Sequence, residues 1–398
     1  MTWRPWLIVG LSFVALALAY SARAAFGLAM PLWEEEFGWT RSFTSGTAAT
    51  ALVMTAILAP LAGRLVDKMG ARLVILIGLG ALAAGCLLLA ATSQAWALLL
   101  AFGGVAAVGF GLVAVHVVSA AVEQEFDSGQ GLATGIATSG STGGQFLIVP
   151  LLALLLASQS WRWAFAALGL AAIVMMLCIH RWYPAGTRFK RHQAAEAGPS
   201  LLQDCLRIAK MPTFQILFWS YFICGYTTTG VIETHFLPYA AFCGFTPVPS
   251  ATAYGLLSAV NLGGMILAGW LTDRVNRPLL LGAIYILRGL TFIMLVHVGA
   301  SLETLFLFAI LFGLVDYSTV PVTASLVASH IGLRVMGLAF GLISAGHQIG
   351  GAVGAYFGGV LFDFYARYDW VWWSSLWLAV LAGLMVFVLR DKPRLAAA

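Results

Sequence analysis

The feature that most constrains this chain is a series of apolar runs, each long enough to carry a helix across about 30 Å of hydrocarbon. Twelve are visible: 6 to 30, 44 to 62, 72 to 91, 97 to 119, 131 to 156 and 161 to 180, then 213 to 237, 251 to 271, 278 to 298, 303 to 324, 335 to 360 and 370 to 389. A bilayer leaves backbone groups no water to bond, so each run must satisfy its own polar groups as a helix or pair with others in a closed barrel. Barrel strands are short and alternate in polarity, which these runs do not. With 61% hydrophobic and 9% charged residues among 398, the chain lacks the polar side chains to cover a water-soluble globule of its size. The expectation is an all-α polytopic membrane protein with twelve transmembrane helices. The first run is too long for a signal-peptide core and reads as a retained helix.

One long polar stretch, 181 to 212, divides the runs six and six. The expected organisation is an N-terminal six-helix bundle at 1–180, a cytoplasmic linker at 181–212 and a C-terminal six-helix bundle at 213–398. Basic loops resist translocation, so lysine and arginine report orientation. With both termini inside, sixteen of the 21 fall on the cytoplasmic side, among them Arg64, Lys68, Arg72, Arg188, Lys190, Arg191, Arg274, Arg334, Lys392 and Arg394. Only Arg41, Arg162 and Arg367 fall outside. The net charge of +5 is therefore a matter of topology, and no nucleic-acid partner is expected. Five cysteines, Cys86, Cys178, Cys205, Cys224 and Cys243, show no CxxC spacing and read as small core hydrophobes, so neither disulfide nor metal is expected.

A shift of 206 residues lays the second half on the first. It carries Gly63, Leu65 and Asp67 onto Gly269, Leu271 and Asp273, and Gly131, Leu132, Ala133 and Gly135 onto Gly337, Leu338, Ala339 and Gly341. One constant offset in separate places marks an internal duplication. Six helices per copy give both copies the same orientation in the membrane, with a pseudo-twofold axis along its normal and a substrate path between the copies.

The second and third runs are joined by Gly63-Arg64-Leu65-Val66-Asp67-Lys68-Met69-Gly70-Ala71-Arg72, the eighth and ninth by Gly269-Trp270-Leu271-Thr272-Asp273-Arg274-Val275-Asn276-Arg277. This doublet strongly resembles the loop signature of the major facilitator superfamily, once in each half. The resemblance implies the major facilitator fold, a transporter rather than an enzyme, and a conformational role for Gly63, Asp67, Arg72, Gly269, Asp273 and Arg274. Physically, glycine lets helices approach and an aspartate can meet a helix N-terminus. Two further stretches, Phe37-Gly38-Trp39-Thr40-Arg41-Ser42 and 131 to 140 opening the fifth run, resemble the monocarboxylate-porter branch, whose members carry small organic acids with protons. Drug-proton antiporters of the superfamily show a Gly-Pro pair in the fifth helix. Here Gly143-Gly144-Gln145 stands in that place, with no proline until Pro150.

An ionisable side chain at bilayer depth costs at least about 2.5 to 3.5 kcal/mol, so each should face a partner or a wet cavity. The candidates are Arg23, His116, Glu233, His235, Arg288, Asp316 and His347, with Gln145, Asn261 and Gln348 as neutral polar groups. In the fold that the resemblance implies, helices 1, 4, 7 and 10 line the central path. Arg23, His116, Gln145, Glu233, His235, Asn261, Asp316 and His347 are the expected substrate-binding set. Arg23 is the anion ligand, since guanidinium can clamp a carboxylate with two parallel hydrogen bonds. It lies past the membrane midplane, where Glu233 is the acid of similar depth that could pair with it at rest. His116, Glu233, His235 and His347 are the proton-coupling candidates, histidine titrating near physiological pH. Each also has a structural reading, as a satisfied core or interfacial group. Arg288 and Asp316 lie at equal depth, nine or ten residues from the cytoplasmic ends of their runs, and read as a structural pair.

The sequence thus points to a secondary active transporter of a small organic anion, a carboxylate, moving by alternating access with a co-transported proton across the inner membrane. It is expected to work as a monomer without cofactor, its partners being substrate, protons and lipid. No GxxxxGK[ST] loop supplies ATP, and no HExxH or GxSxG motif supports an intramembrane enzyme. Two rivals stand beside it: a proton-driven exporter of lipophilic or cationic compounds, with Asp316 and Glu233 as binding acids, and a transport-dead sensor signalling through its linker.

Overall fold

The computed structural model of the chain describes residues 3–39, 41–126, 128–158, 160–184, 200–299 and 301–391. Among these, all regular structure is helical. Arg188, Lys190 and Arg191 of the linker lie outside the described residues, as do Lys392 and Arg394. The helical rods are α1 (Trp3–Phe37), α2 (Arg41–Met69), α3 (Ala71–Ala91), α4 (Ala95–Glu125), α5 (130–158), α6 (Trp161–Trp182), α7 (212–242), α8 (Pro247–Thr272), α9 (Arg277–Val296), α10 (Leu302–His330), α11 (Met336–Tyr365) and α12 (Asp369–Phe387). Nine helices among the described residues are long and apolar enough to cross a membrane: α1 to α4, α6, α8 to α10 and α12. The other three rods coincide with the fifth, seventh and eleventh apolar runs.

Within the linker, Leu201–Ala209 forms a short helix, opened by a reciprocal cap in which Ser200 and Gln203 bond each other's backbone N–H groups.

Four rods are not continuous α-helices. α4 is π-helical over Leu99–Ala106 and bends at 113–114, and α5 is interrupted at Ser139. α7 is π-helical over Tyr226–Ile232, and α10 breaks at 316–318. Such interruptions leave backbone groups without their helical partners, and in an apolar surrounding side chains must supply them.

The chain packs into two compact units. One comprises Met1–Phe126, Ile136–Gly198 and Arg334–Gly341; the other comprises Asp127–Gly135, Pro199–Leu333 and Leu342–Ala398. The opening of α5 therefore belongs to the second unit and the opening of α11 to the first. In the first unit, α3 and α4 meet so closely that a Cβ at Gly85 would stand 2.6 Å from that of Ala106. Trp33, Phe26, Phe102, Phe165 and Trp161 fill its aromatic core. In the second, Phe236, Phe292, Phe308, Phe312 and Trp372 play that part. Large apolar side chains turn outward in both: Val53, Ile57 and Leu61 on α2 are 60%, 60% and 42% exposed, and Leu170, Val174 and Leu177 on α6 are similar. Their spacing puts each set on one helix face, a surface suited to lipid rather than water.

Candidate functional site

The duplicated loop sets the frame. At the end of α2, the Asp67 carboxylate accepts from the Gly337 N–H at 2.9 Å and the Leu338 N–H at 2.8 Å, the opening of α11. At the end of α8, Asp273 accepts from the Gly131 and Leu132 N–H groups, both at 2.9 Å, the opening of α5. The two contacts are related by the shift of 206 that relates their sequences. Each carboxylate answers two N–H groups that a helix leaves unsatisfied at its start, where the helix dipole also favours negative charge. Glycine makes the approach feasible. A Cβ at Gly131 would stand 2.5 Å from the Gly269 carbonyl oxygen, and one at Gly337 would collide with the Gly63 carbonyl. Asp67 also accepts from the Gln124 amide at 3.4 Å. Arg72 donates to the His180 carbonyl, and Arg274 lies over the Trp270 ring and bonds its carbonyl at 3.0 Å.

The second unit holds a buried polar cluster where α7 and α10 lose regular geometry. Arg288, on α9, is fully buried. One of its Nη atoms donates to the carbonyls of Val315 (3.0 Å), the last residue before the α10 break, and Asp316, the first within it; the other reaches Cys224 Sγ at 2.9 Å and Thr227 Oγ1 at 3.4 Å. Its guanidinium stands 3.9 Å from the Asp316 carboxylate. Asp316 accepts from Thr228 Oγ1 at 2.6 Å and from the Asn261 amide at 3.3 Å. The other end of the Asn261 amide accepts from the Tyr317 backbone N–H at 3.1 Å. Tyr317 then extends its hydroxyl to Glu233 Oε1 at 2.8 Å. Arg288 thus meets the carbonyl end of one helical segment while Asn261 answers an N–H that the break sets free.

Among the expected site residues, Asn261, Arg288, Asp316 and Glu233 come together here. His235 directs its Nε2 to the Ala355 carbonyl, 3.0 Å away, while Glu233 is bonded by Tyr317. His347 stacks obliquely on Tyr221, with ring centroids 4.9 Å apart. Three members escape a reading of the sequence: Thr228, Tyr317 and Cys224. Cys224 is not merely a core hydrophobe, because its sulfur is an acceptor for Arg288. All five cysteines are free thiols. The run Thr227-Thr228-Thr229, three hydroxyls in the middle of an apolar segment, is the signal that could have found Thr228.

The first unit is different. Arg23, on α1, is half-buried, with its guanidinium carbon 5.4 Å from the Tyr20 ring centroid and 5.6 Å from that of Phe110 on α4. Among the described residues no carboxylate forms an ion pair with it. His116 is buried on α4 with its ring bonded to the Ala59 carbonyl, while Nε2 has no partner among the described residues. Gln145, on α5, is half-buried.

Comparison with known proteins agrees with this architecture. A sequence model of the Major Facilitator Superfamily matches residues 12–299 and 265–398. The chain is 25% identical to an uncharacterized MFS-type transporter of Bacillus subtilis, YcxA, across 96% of this chain and 92% of that one. It is 27% identical to human monocarboxylate transporter 11, across 90% of this chain and 77% of the relative. Among solved structures it is similar to the proton:xylose symporter XylE, with TM-score 0.77 and 14% identity over 96% of this chain and 94% of that one. The Escherichia coli fucose:proton symporter FucP superimposes with TM-score 0.78 at 15% identity, over 96% and 98%.

Proposed function

The chain belongs to the major facilitator superfamily and is a membrane transporter, and from that premise we propose that it moves a small organic anion, a monocarboxylate, together with a proton. It does so as a monomer with twelve spans and both termini in the cytoplasm, across the inner membrane by alternating access. The carrying observation is Arg23. A guanidinium at this depth is costly unless answered, and among the described residues its neighbours are aromatic faces with no carboxylate in ion-pair range, while the other deep arginine, Arg288, has an acid beside it. A substrate carboxylate supplies the missing charge through two parallel hydrogen bonds. Similarity to monocarboxylate transporter 11 supports the substrate class, and similarity to two proton symporters supports the coupling. The half-buried Gln145 offers the substrate a neutral polar contact.

The proton is carried by His116, His347, His235 or Glu233. His116 has one ring nitrogen committed to Ala59, while Nε2 is buried with no hydrogen-bond partner among the described residues, so it takes up a proton in a state that opens it to the transport path. The paired loop aspartates are conformational. Asp67 and Asp273 let go of the helix openings as the transporter changes state and take them again on return, and they touch no substrate.

Uptake of radiolabelled L-lactate and pyruvate into proteoliposomes, with and without an imposed pH gradient, tests this reading. Accumulation driven by the gradient and abolished by its collapse is expected, and His116→Gln or His347→Gln should flatten the pH dependence. Uptake of lipophilic cations in place of acids would promote the exporter reading instead.

A further inference from the structure

We propose that Asp316 is itself a proton-binding residue of the transport cycle, placed at the break in α10 so that its charge state sets the geometry of that break. The inference rests on the proton-coupled reading and names a residue that reading does not use.

Four observations carry it. First, Asp316 is buried in the second unit, yet its two oxygens hold only neutral donors, the Thr228 hydroxyl and the Asn261 amide. Arg288 stands 3.9 Å from the carboxylate, and its short bonds go to the Asp316 and Val315 carbonyls instead. The carboxylate is therefore balanced without being locked in a bidentate clamp. Second, Thr228 is a partner that suits either form. A hydroxyl donates to a carboxylate and, after rotating, accepts from a carboxylic acid. Both forms of Asp316 can thus be bonded, which a buried group that changes charge requires.

Third, the cluster spans the two places where helices lose regular geometry. Thr228 lies in the π-helical segment of α7, and residues 316–318 form the break in α10. Asn261 on α8 bonds both the Asp316 carboxylate and the Tyr317 N–H. When the proton arrives at Asp316, the charge that draws in the Asn261 amide and Arg288 disappears, and the break is free to adjust. Fourth, the adjustment reaches the surface. Tyr317 follows Asp316 in the chain, and its hydroxyl holds the exposed Glu233. Glu233 is thereby an exposed acid one residue's reach from the buried site.

The groups facing Asp316 can be named for each packed element. They are Arg288 on α9, Cys224 and Glu233 on α7, Tyr254 on α8 and the adjoining Tyr317 on α10, with Tyr285 on α9 beside Arg288 and Cys224 and His347 on α11 beside Cys224. One permanent cation stands among them. Loss of the Asp316 charge therefore leaves Arg288 held by carbonyl dipoles alone, a state of different geometry rather than of no support.

Infrared difference spectroscopy of the full chain in phosphatidylethanolamine/phosphatidylglycerol nanodiscs, stepped from neutral to acid pH, tests the site without a substrate. The band to follow is the C=O stretch of a protonated aspartic acid, identified by its shift with carbon-13-labelled aspartate. Asp316→Asn should remove one aspartate component. Asp316→Glu, which keeps a carboxyl and guards against misfolding of the amide variant, should remove it from the aspartate-labelled set while adding an unlabelled one. Superimposable aspartate bands in wild type and both variants would overturn the proposal. Radiolabelled L-lactate uptake separates it from the reading it rests on: a wild type that shows the Asp316 component yet carries no lactate loses the monocarboxylate assignment and keeps the proton site.

Discussion

The two repeats share a frame and differ in how they treat charge. Under the shift of 206, Asp316 falls on Phe110, Arg288 on Leu82, Asn261 on Thr55, Thr228 on Ala22 and Glu233 on Gly27. The second repeat has a charged, hydrogen-bonded cluster where the first has a mostly apolar core. Conversely, Arg23 falls on Thr229, and the ring facing Arg23 across α1 and α4 is Phe110, the counterpart of Asp316. One repeat presents a cation with aromatic neighbours, the other a cation with its acid. Duplication fixed the helices and latches, and divergence inside them gave the two repeats different charges at depth; on the proposed function, the first repeat's cation serves a substrate anion and the second repeat's pair stays within the protein.

The largest effect should come from breaking the pair that only one repeat possesses. Arg288→Leu, the residue found at the equivalent Leu82, strands a buried carboxylate and should cost about 3 to 5 kcal/mol. Adding Asp316→Leu makes the site apolar like that of the first repeat and should recover roughly half of the loss, since Thr228 and Asn261 still lack partners. Thermal unfolding of the purified single and double variants checks this. A double variant no more stable than the single would mean that the pair is not what holds the site.

Where the repeats agree, matched substitutions should behave alike. Gly131→Val and Gly337→Val both drive a side chain into a facing backbone, and each should cost about 1 to 3 kcal/mol, read by the same thermal assay. Clearly unequal losses would show that one contact is looser. Smaller still, Asp67→Asn and Asp273→Asn each weaken a charged cap by about 1 kcal/mol. Both should slow transport while leaving equilibrium substrate affinity within a few fold. Loss of binding in a folded variant would place the aspartate in the substrate site.

Much of this architecture is legible in the sequence because it depends on quantities a sequence carries directly. Run length locates the helical rods, nine of which among the described residues are long and apolar enough to cross a membrane, and a constant offset gives the duplication. Gly63, Asp67 and their copies announce the latches, though not that each aspartate bonds the helix opening of the opposite repeat. The polar cluster is only half legible. Equal depth suggests Arg288 with Asp316, and the hydroxyls of Thr227-Thr228-Thr229 mark α7 as polar at mid-span, but hydroxyls and a lone aspartate are also tolerated in a regular helix, so neither the π-helical segment of α7 nor the break in α10 can be read from them. Without that geometry the sequence does not say that Thr228 and Tyr317 join Asp316 in one cluster, and Cys224 looks like any small core residue. Glu233 and His235, two positions apart, look like a pair in sequence, yet residues so spaced on a helix diverge: one bonds Tyr317, the other Ala355.

The central claim is that Arg23 receives the substrate carboxylate, and equilibrium binding of L-lactate and pyruvate by isothermal titration measures it most directly. Arg23→Lys keeps the charge and loses the two-pronged geometry; Arg23→Gln loses both. A charge-assisted hydrogen bond contributes about 1.5 to 3 kcal/mol, so affinity should fall by about 10- to 100-fold in the glutamine variant and by less in the lysine variant, with folding preserved. Wild-type affinity for the acid in a folded Arg23→Gln protein would contradict the account.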